Sequence, residues 1–174
     1  MKRGWWLLMI VFLFAFSGCL SSDSVFTREA PDASQNDISV SINHFGITGT
    51  ADPVNGVVPI NPGVDDGSFT VSWDVSSNVS VYHIELFVSK DGSIGDEAIS
   101  FFAQNCGVSP ICGQTGVVEC RFTTDNQISC GDNIGANLTD FLDQLPQELF
   151  IVMRTLSSLF SLTFEYETVK VQLQ

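Results

Sequence analysis

The sequence predicts an all-β fold, an antiparallel β-sandwich with one short crossover helix. Two observations lead to this prediction. Apolar and polar residues alternate with a period of two through most of the chain after residue 37, as half-buried strands require, whereas helical periodicity occurs once. The strand-like segments are short and are separated by turn-forming residues, which is typical of a two-layer sandwich.

The predicted strands begin near residues 38, 57, 69, 82, 98, 117, 149 and 162. Pro59 confines the second of them to a sheet edge, because proline has no backbone N–H to donate. The segment at 149–156 is almost continuously apolar, which favours a central strand. In the last segment the apolar parity changes between Tyr166 and Val169, so we predict a β-bulge near Glu167 and Thr168.

One segment has helical spacing. Its apolar residues recur at i, i+3, i+4 and i+7, and they are Leu138, Phe141, Leu142 and Leu145. Pro146 would end this helix after about two turns, and Asn137 is suited to the N-cap.

The first residues have the pattern of a secretory signal peptide. Lys2 and Arg3 are followed by an apolar run from residue 5 to residue 16, too short to cross about 30 Å of hydrocarbon as a helix. Ser17-Gly18-Cys19 resembles the lipobox of bacterial lipoproteins, although Phe16 replaces the usual leucine. The resemblance implies a signal peptide at 1–18 and lipidation of Cys19, hence a membrane anchor. Leu20 after the cysteine resembles the outer-membrane sorting signal.

The remaining chain divides into a polar tether at 19–36 and a domain at 37–174. Loss of residues 1–18 leaves five basic and twenty acidic side chains, a net charge of −15. Such a surface repels nucleic acid phosphates and anionic lipid headgroups, so we expect no nucleic acid partner.

Four cysteines remain if Cys19 carries lipid, and an even number in an exported protein predicts two disulfides. Three pairings are formally open. Proximity in sequence favours Cys106–Cys112 and Cys120–Cys130, the second across a hairpin with Asp125 and Asn126 near its turn. A zinc site is the weaker alternative, because no C-x2-C pair is present.

The stretch GSFTVSWDVSSNVSVYHIELFVSKDG resembles the second and third strands of fibronectin type III and related immunoglobulin-like domains. In that family a tryptophan ends one strand and a tyrosine opens the next, as Trp73 and Tyr82 do here. Trp73 also has the same parity as Phe69 and Val71, which predicts that it lies in the core. Leu145-Pro146 is similar to the family's lead into a later strand, but Phe150 stands near the position of its corner tyrosine. The resemblance implies an immunoglobulin-like sandwich and makes residues 92–136 a disulfide-containing insertion.

No catalytic constellation is recognisable. His44 and His83 are the only histidines, and neither adjoins a serine or cysteine motif for nucleophilic catalysis. We predict His44 in a turn after the first strand and His83 on the solvent face of its strand, both as surface residues. The chain is therefore expected to be a non-enzymatic envelope lipoprotein without a cofactor, which binds a protein or a polysaccharide or serves as an accessory or structural module. A hydrolase is the last alternative.

Two further hypotheses concern binding. Acidic, glycine-containing loops supply the hard oxygen ligands that calcium prefers, so a calcium- or carbohydrate-binding module is the alternative function; the weak metal candidates are Asp65, Asp66, Asp91, Asp96 and Glu97. Leu159 and Phe160 fall in a predicted loop between the last two strands, where burial is least available. They are a candidate contact surface.

Overall fold

The computed structural model describes residues 40–79, 81–107, 114–157 and 164–174, and these form an all-β domain of two sheets. The predicted signal peptide and tether lie outside the described residues. The strands are β1 Val40–Thr48, β2 Val58–Ile60, β3 Ser68–Ser77, β4 Tyr82–Ser89, β5 Ile99–Cys106, β6 Thr115–Phe122, β7 Gln127–Cys130, β8 Ala136–Asn137, β9 Gln147–Leu156 and β10 Phe164–Leu173.

Each sheet has five strands. The first sheet has the order β1-β3-β6-β7-β8, and the second has the order β2-β10-β9-β4-β5. All described strand pairs are antiparallel except β2 and β10, which are parallel. Two predictions are confirmed by this order: the apolar segment at 149–156 forms the central strand β9, and the strand that contains Pro59 lies at an edge.

The inner faces of the two sheets share one hydrophobic core, consistent with a β-sandwich. In β3 the apolar residues Phe69, Val71, Trp73 and Val75 are buried, and the polar residues between them face outward. Alternation in the sequence therefore identified the buried face of this strand correctly.

Trp73 joins the two sheets at the centre of this core. Its ring centroid lies 6.4 Å from that of Phe102 on β5, at an interplanar angle of 50°. Burial raises the pKa of the Tyr82 phenol on β4, and the neighbouring Trp73 side chain opposes part of that shift. The tryptophan thus contacts aromatic residues from two strands of the opposite sheet, as the prediction of a core tryptophan required.

Gly116 on β6 lies directly opposite Trp73 in the β3–β6 register. A Cβ atom at position 116 would lie 2.6 Å from Nε1 of Trp73, and closer still to two carbon atoms of the ring. The indole therefore occupies the space that any larger residue would need.

The predicted hairpin and its disulfide are both present. Cys120 on β6 and Cys130 on β7 are opposite each other and bonded, with their Cα atoms 4.0 Å apart. The turn includes Asn126 in the left-handed region at φ 57°, a conformation that asparagine tolerates. The pair closes a hairpin rather than a long loop, so it restrains local structure.

The predicted helix was wrong. Leu142 N donates to Leu138 O over 2.9 Å, but no α-helix follows in the described part of the chain. Asn137 Oδ1 accepts a hydrogen bond from Thr139 N, as an N-cap would. A single turn, however, forms too few hydrogen bonds to offset the free-energy cost of helix nucleation. Leu138 and Phe141 instead lie in a turn, and their side chains are buried. No helix among the described residues is long and apolar enough to span a membrane.

The predicted bulge in the last strand was also wrong. β10 pairs with β9 without a register shift from Phe164 to Leu173. The apolar residues change from even to odd positions because they lie on different faces. Phe164 and Tyr166 lie on the outer face and are about half exposed, whereas Val171 and Leu173 face the core. Apolar residues therefore occupy both faces of one regular strand.

The expected insertion at 92–136 is not separate from the sandwich. This segment supplies β5 to the second sheet and β6 and β7 to the first, where β6 is the middle strand. Cys120, Phe122 and Ile128 are almost completely buried in the shared core. The additional residues of this segment therefore form strands of both sheets.

We predict that Gly116→Ala lowers the free energy of unfolding by about 1–3 kcal/mol, because the added methyl group would displace the Trp73 ring. Denaturant unfolding followed by tryptophan fluorescence measures this loss. Gly95→Ala is the matched control, since the nearest atom to its Cβ lies 3.9 Å away. Equal stability of the two variants would show that the ring has room to move.

Candidate functional site

The acidic turn at Asp65 and Asp66 is a short 3-10 segment that leads into β3. Both aspartates have positive φ angles. Arg121 holds the turn from β6: its Nε donates to the Asp66 carbonyl oxygen over 2.8 Å, and its guanidinium lies 3.5 Å from the Asp66 carboxylate. These contacts give Asp66 a structural partner within the protein.

The second acidic loop follows β4. Asp91 Oδ1 accepts hydrogen bonds from Ser93 N at 2.9 Å, Ser93 Oγ at 2.7 Å and Ser89 Oγ at 2.9 Å. Asp91, Asp96 and Glu97 line one cavity of about 270 Å³. Across the described segments, however, no three His, Cys, Asp or Glu side chains come together in a group suited to a metal ion. Asp65 and Asp66 do not line this cavity.

Of the remaining predicted site residues, the structure describes some and not others. Cys106 is buried and disulfide-bonded, but Cys112 lies outside the described residues, so the Cys106–Cys112 pairing stays a prediction. Cys19, Leu159 and Phe160 also lie outside the described residues. Their predicted roles in lipidation and contact remain predictions.

The two histidines belong to different sheets. His44 lies within β1, opposite Asp74, rather than in the turn predicted after that strand. His83 lies on the outer face of β4, opposite Leu156. The fold therefore does not bring the two imidazoles together on one strand or one sheet.

Charged and aromatic residues meet on the outer face of the second sheet, on its three adjacent strands β4, β9 and β10. We name this group the outer-face cluster; it consists of Glu85, Phe87, Arg154, Phe164 and Tyr166. Glu85, Arg154 and Tyr166 lie side by side in one cross-strand row. Their sequence neighbours Ile84, Leu86 and Met153 point into the core, which assigns the cluster to the opposite face.

Arg154 is at the centre of the outer-face cluster. Its Cζ lies 4.9 Å from the ring centroid of Phe87 and 5.8 Å from that of Phe164, within the range of cation–π attraction. Its Nε donates to Glu85 Oε2 over 2.7 Å, and a second guanidinium nitrogen pairs with the same oxygen. The guanidinium is thus held between two rings and a carboxylate.

The aromatic residues of the cluster differ in exposure. Phe87 is buried, whereas Phe164 is 49% exposed and Tyr166 is 53% exposed. The Phe164 and Tyr166 ring centroids are 6.4 Å apart, at an interplanar angle of 38°. Two aromatic rings are therefore presented to solvent beside an oriented arginine.

The sequence analysis did not find the outer-face cluster, although a signal for it was present. Phe164 and Tyr166 have the opposite parity to Val169, Val171 and Leu173, and we interpreted that change as a bulge. Without a bulge, the same parity places two aromatic residues on the polar face of the strand. Arg154 gave a second signal, as a charged residue within the apolar segment at 149–156.

A cavity of about 480 Å³ lies beside β2, and its surface is more apolar than polar, with Val54, Val57 and Val64 among the lining residues. Its lining includes Asp52, Glu148 and a relay of amides in which Asn61 Nδ2 donates to Gln174 Oε1 and Gln174 Nε2 donates to Gln172 Oε1. No aromatic side chain lines this cavity, so it lacks the flat apolar surface on which a sugar ring would stack.

Comparisons with known proteins assign no family. No protein-family model matches the chain, and no curated protein is significantly similar to it in sequence.

We predict that the Asp91 turn loses stability in acid. Its hydrogen bonds, first that from Ser93 N, lower the pKa of the Asp91 carboxyl below 3.8, so the charged form stabilises the fold above the unfolded pKa. This contribution disappears as the pH falls through the folded pKa. The difference in Tm between wild type and Asp91→Asn should therefore be present at pH 7 and shrink as the pH falls through the folded pKa, which lies below the ordinary value for an aspartate. Asp96→Asn is the control, and a Tm difference independent of pH would contradict the prediction.

Proposed function

We propose that this protein is a non-enzymatic lipoprotein of the cell envelope, anchored through Cys19, that binds another protein through the outer-face cluster. The lipobox-like sequence at Ser17-Gly18-Cys19 and the apolar run before it support the anchor. The chemistry of the cluster supports the binding role. Leu20 after the cysteine favours the outer membrane.

We also propose an immunoglobulin-like sandwich. The order β1-β3-β6-β7 corresponds to strands A-B-E-D of that fold, and β10-β9-β4-β5 corresponds to G-F-C-C′. One strand departs from the pattern: β7 follows β6 in the chain, whereas strand D precedes strand E. The buried Trp73 and Tyr82 support the assignment through the resemblance of their segment to fibronectin type III domains.

The observation that carries the binding role is the stack of Arg154 between Phe87 and Phe164, beside Tyr166. Tyrosine, other aromatic residues and arginine are the side chains enriched in protein interfaces, and tyrosine and arginine dominate their binding energy. Here they are held in place before binding, so less side-chain entropy is lost when a partner is bound.

The charge of the chain indicates the chemistry of the partner. Without residues 1–18 the net charge is −15, so the field around the domain attracts positively charged protein surfaces. Arg154 is already paired with Glu85. A protein that offers an apolar pocket with a basic rim would therefore complement this surface.

We predict that Phe164→Ser combined with Tyr166→Ser weakens partner binding by about 30-fold or more, the loss expected when an interface loses its central aromatic residues. A photocrosslinking residue at position 166 of the full chain would identify the partner in the envelope. Binding of the purified partner to wild type and to the double variant is then measured by calorimetry.

Val117→Ser is the matched control, because Val117 is 72% exposed on the other sheet. Equal binding by the double variant and wild type would overturn the proposal. Binding of an envelope polysaccharide that depends on Tyr166, with no protein bound, would replace the protein partner with a glycan.

We predict that Cys19→Ser abolishes metabolic labelling with palmitate and releases the protein from the membrane fraction, because the thiol is the predicted attachment atom. Labelling of wild type and variant in parallel, followed by fractionation, measures both effects. Cys120→Ser combined with Cys130→Ser is the control and should keep its label. Label that persists in Cys19→Ser would disprove the anchor.

A further inference from the structure

The two sheets have four edge strands among the described residues: β1 and β8 in the first sheet, β2 and β5 in the second. An edge strand presents unpaired N–H and C=O groups, which are a template for pairing with another chain. Proteins usually block such pairing with short strands, proline, bulges or charges.

Three of these edges are blocked. β8 has two residues, and β2 has three residues that include Pro59. β1 is longer, and its register shift between Ile42 and His44 resembles the one in β5 at Phe101, so a neighbouring charge is what blocks this edge. The Glu165 carboxylate also accepts hydrogen bonds from Ile42 N at 3.0 Å and from Ser41 Oγ at 3.3 Å, which brings a charge to that edge.

β5 differs from the other three edges. It has eight residues, ISFFAQNC, without a charged residue, proline or glycine. One irregularity lies at Phe101, and pairing with β4 is then regular from Phe102 to Cys106. Within the described residues, no backbone hydrogen bond joins residues 99–105 to a strand other than β4.

An open groove of about 370 Å³ runs beside this edge. Ser100–Ala103 form one wall, and the loop at 132–135 forms the other. Ile134 in that loop is 100% exposed. Ala103 and Asn105 on β5 are also exposed and carry small or uncharged side chains, which allow another strand to approach closely.

We propose that β5 pairs antiparallel with β5 of a second copy of this chain, joining two five-stranded sheets into one across a two-fold axis. A two-fold axis in this position makes the paired strands antiparallel. The strand is self-complementary, because it places no like charges opposite each other. The added strand would cover the groove and Ile134, which is otherwise an unpartnered aliphatic side chain at a sheet edge.

Charge makes this association dependent on salt. Each copy carries a net charge of −15 once residues 1–18 are removed, so two copies repel each other at long range while their uncharged β5 strands attract at short range. The Debye length falls from about 14 Å at 0.05 M salt to about 4 Å at 0.5 M salt, so the dimer should strengthen over this interval.

Sedimentation equilibrium of the purified full chain in density-matched detergent tests the proposal. We expect a monomer–dimer equilibrium whose dissociation constant falls as NaCl rises. Ala103→Lys combined with Asn105→Lys should raise that constant about tenfold or more, since the paired lysines repel each other across the edge. Val117→Lys is the control for a single added charge away from the edge.

Circular dichroism and Tm establish that each variant is folded. A chain that is monomeric at all concentrations and salt levels would overturn the proposal, as would a dimer that the two lysines leave unchanged. The Phe164→Ser, Tyr166→Ser variant should dimerise like wild type, so failure of the proposed partner binding and failure of β5 pairing are distinguishable.

Discussion

The burial of Trp73 is the constraint on which the rest of this sandwich depends. The indole lies over Gly116 of the neighbouring strand and contacts aromatic residues of the opposite sheet. A one-residue slip of β6 would place Val117 beneath the ring and reverse the faces of that strand. The tryptophan therefore sets the β3–β6 register, and through Phe102 and Tyr82 it joins the first sheet to β4 and β5 of the second.

This core also explains how the backbone beneath the outer-face cluster is held in place. β9 is the central strand of its sheet, and Ile151, Val152 and Met153 are completely buried although they alternate between its two faces. Arg154 follows them directly, so its backbone is held by neighbours on both sides. A binding surface on such a strand is more precisely positioned than one on a loop. For this reason we assign the proposed partner binding to the outer face of the second sheet.

The second sheet carries both proposed interaction surfaces, one on its outer face and one along β5. The two need different partners, because the cluster offers aromatic rings around a paired arginine, whereas β5 offers uncharged backbone groups. A dimer through β5 would place two outer-face clusters in one extended sheet. The protein would then bind its partner with two sites at once, and effective concentration would raise the overall affinity.

Local patterns in the sequence determined which segments are strands, that Trp73 is buried, and that Cys120 and Cys130 face each other across a hairpin, because alternation and short turns depend on neighbouring residues. Only the tertiary structure decided that the 138–145 segment is not a helix and that Phe164 and Tyr166 face outward. The alternation of residues shows that the two faces of a strand differ. Which face is buried depends on packing against strands that are distant in sequence. The outer-face cluster depends on that choice, since Glu85, Arg154 and Tyr166 meet only after β4, β9 and β10 have paired.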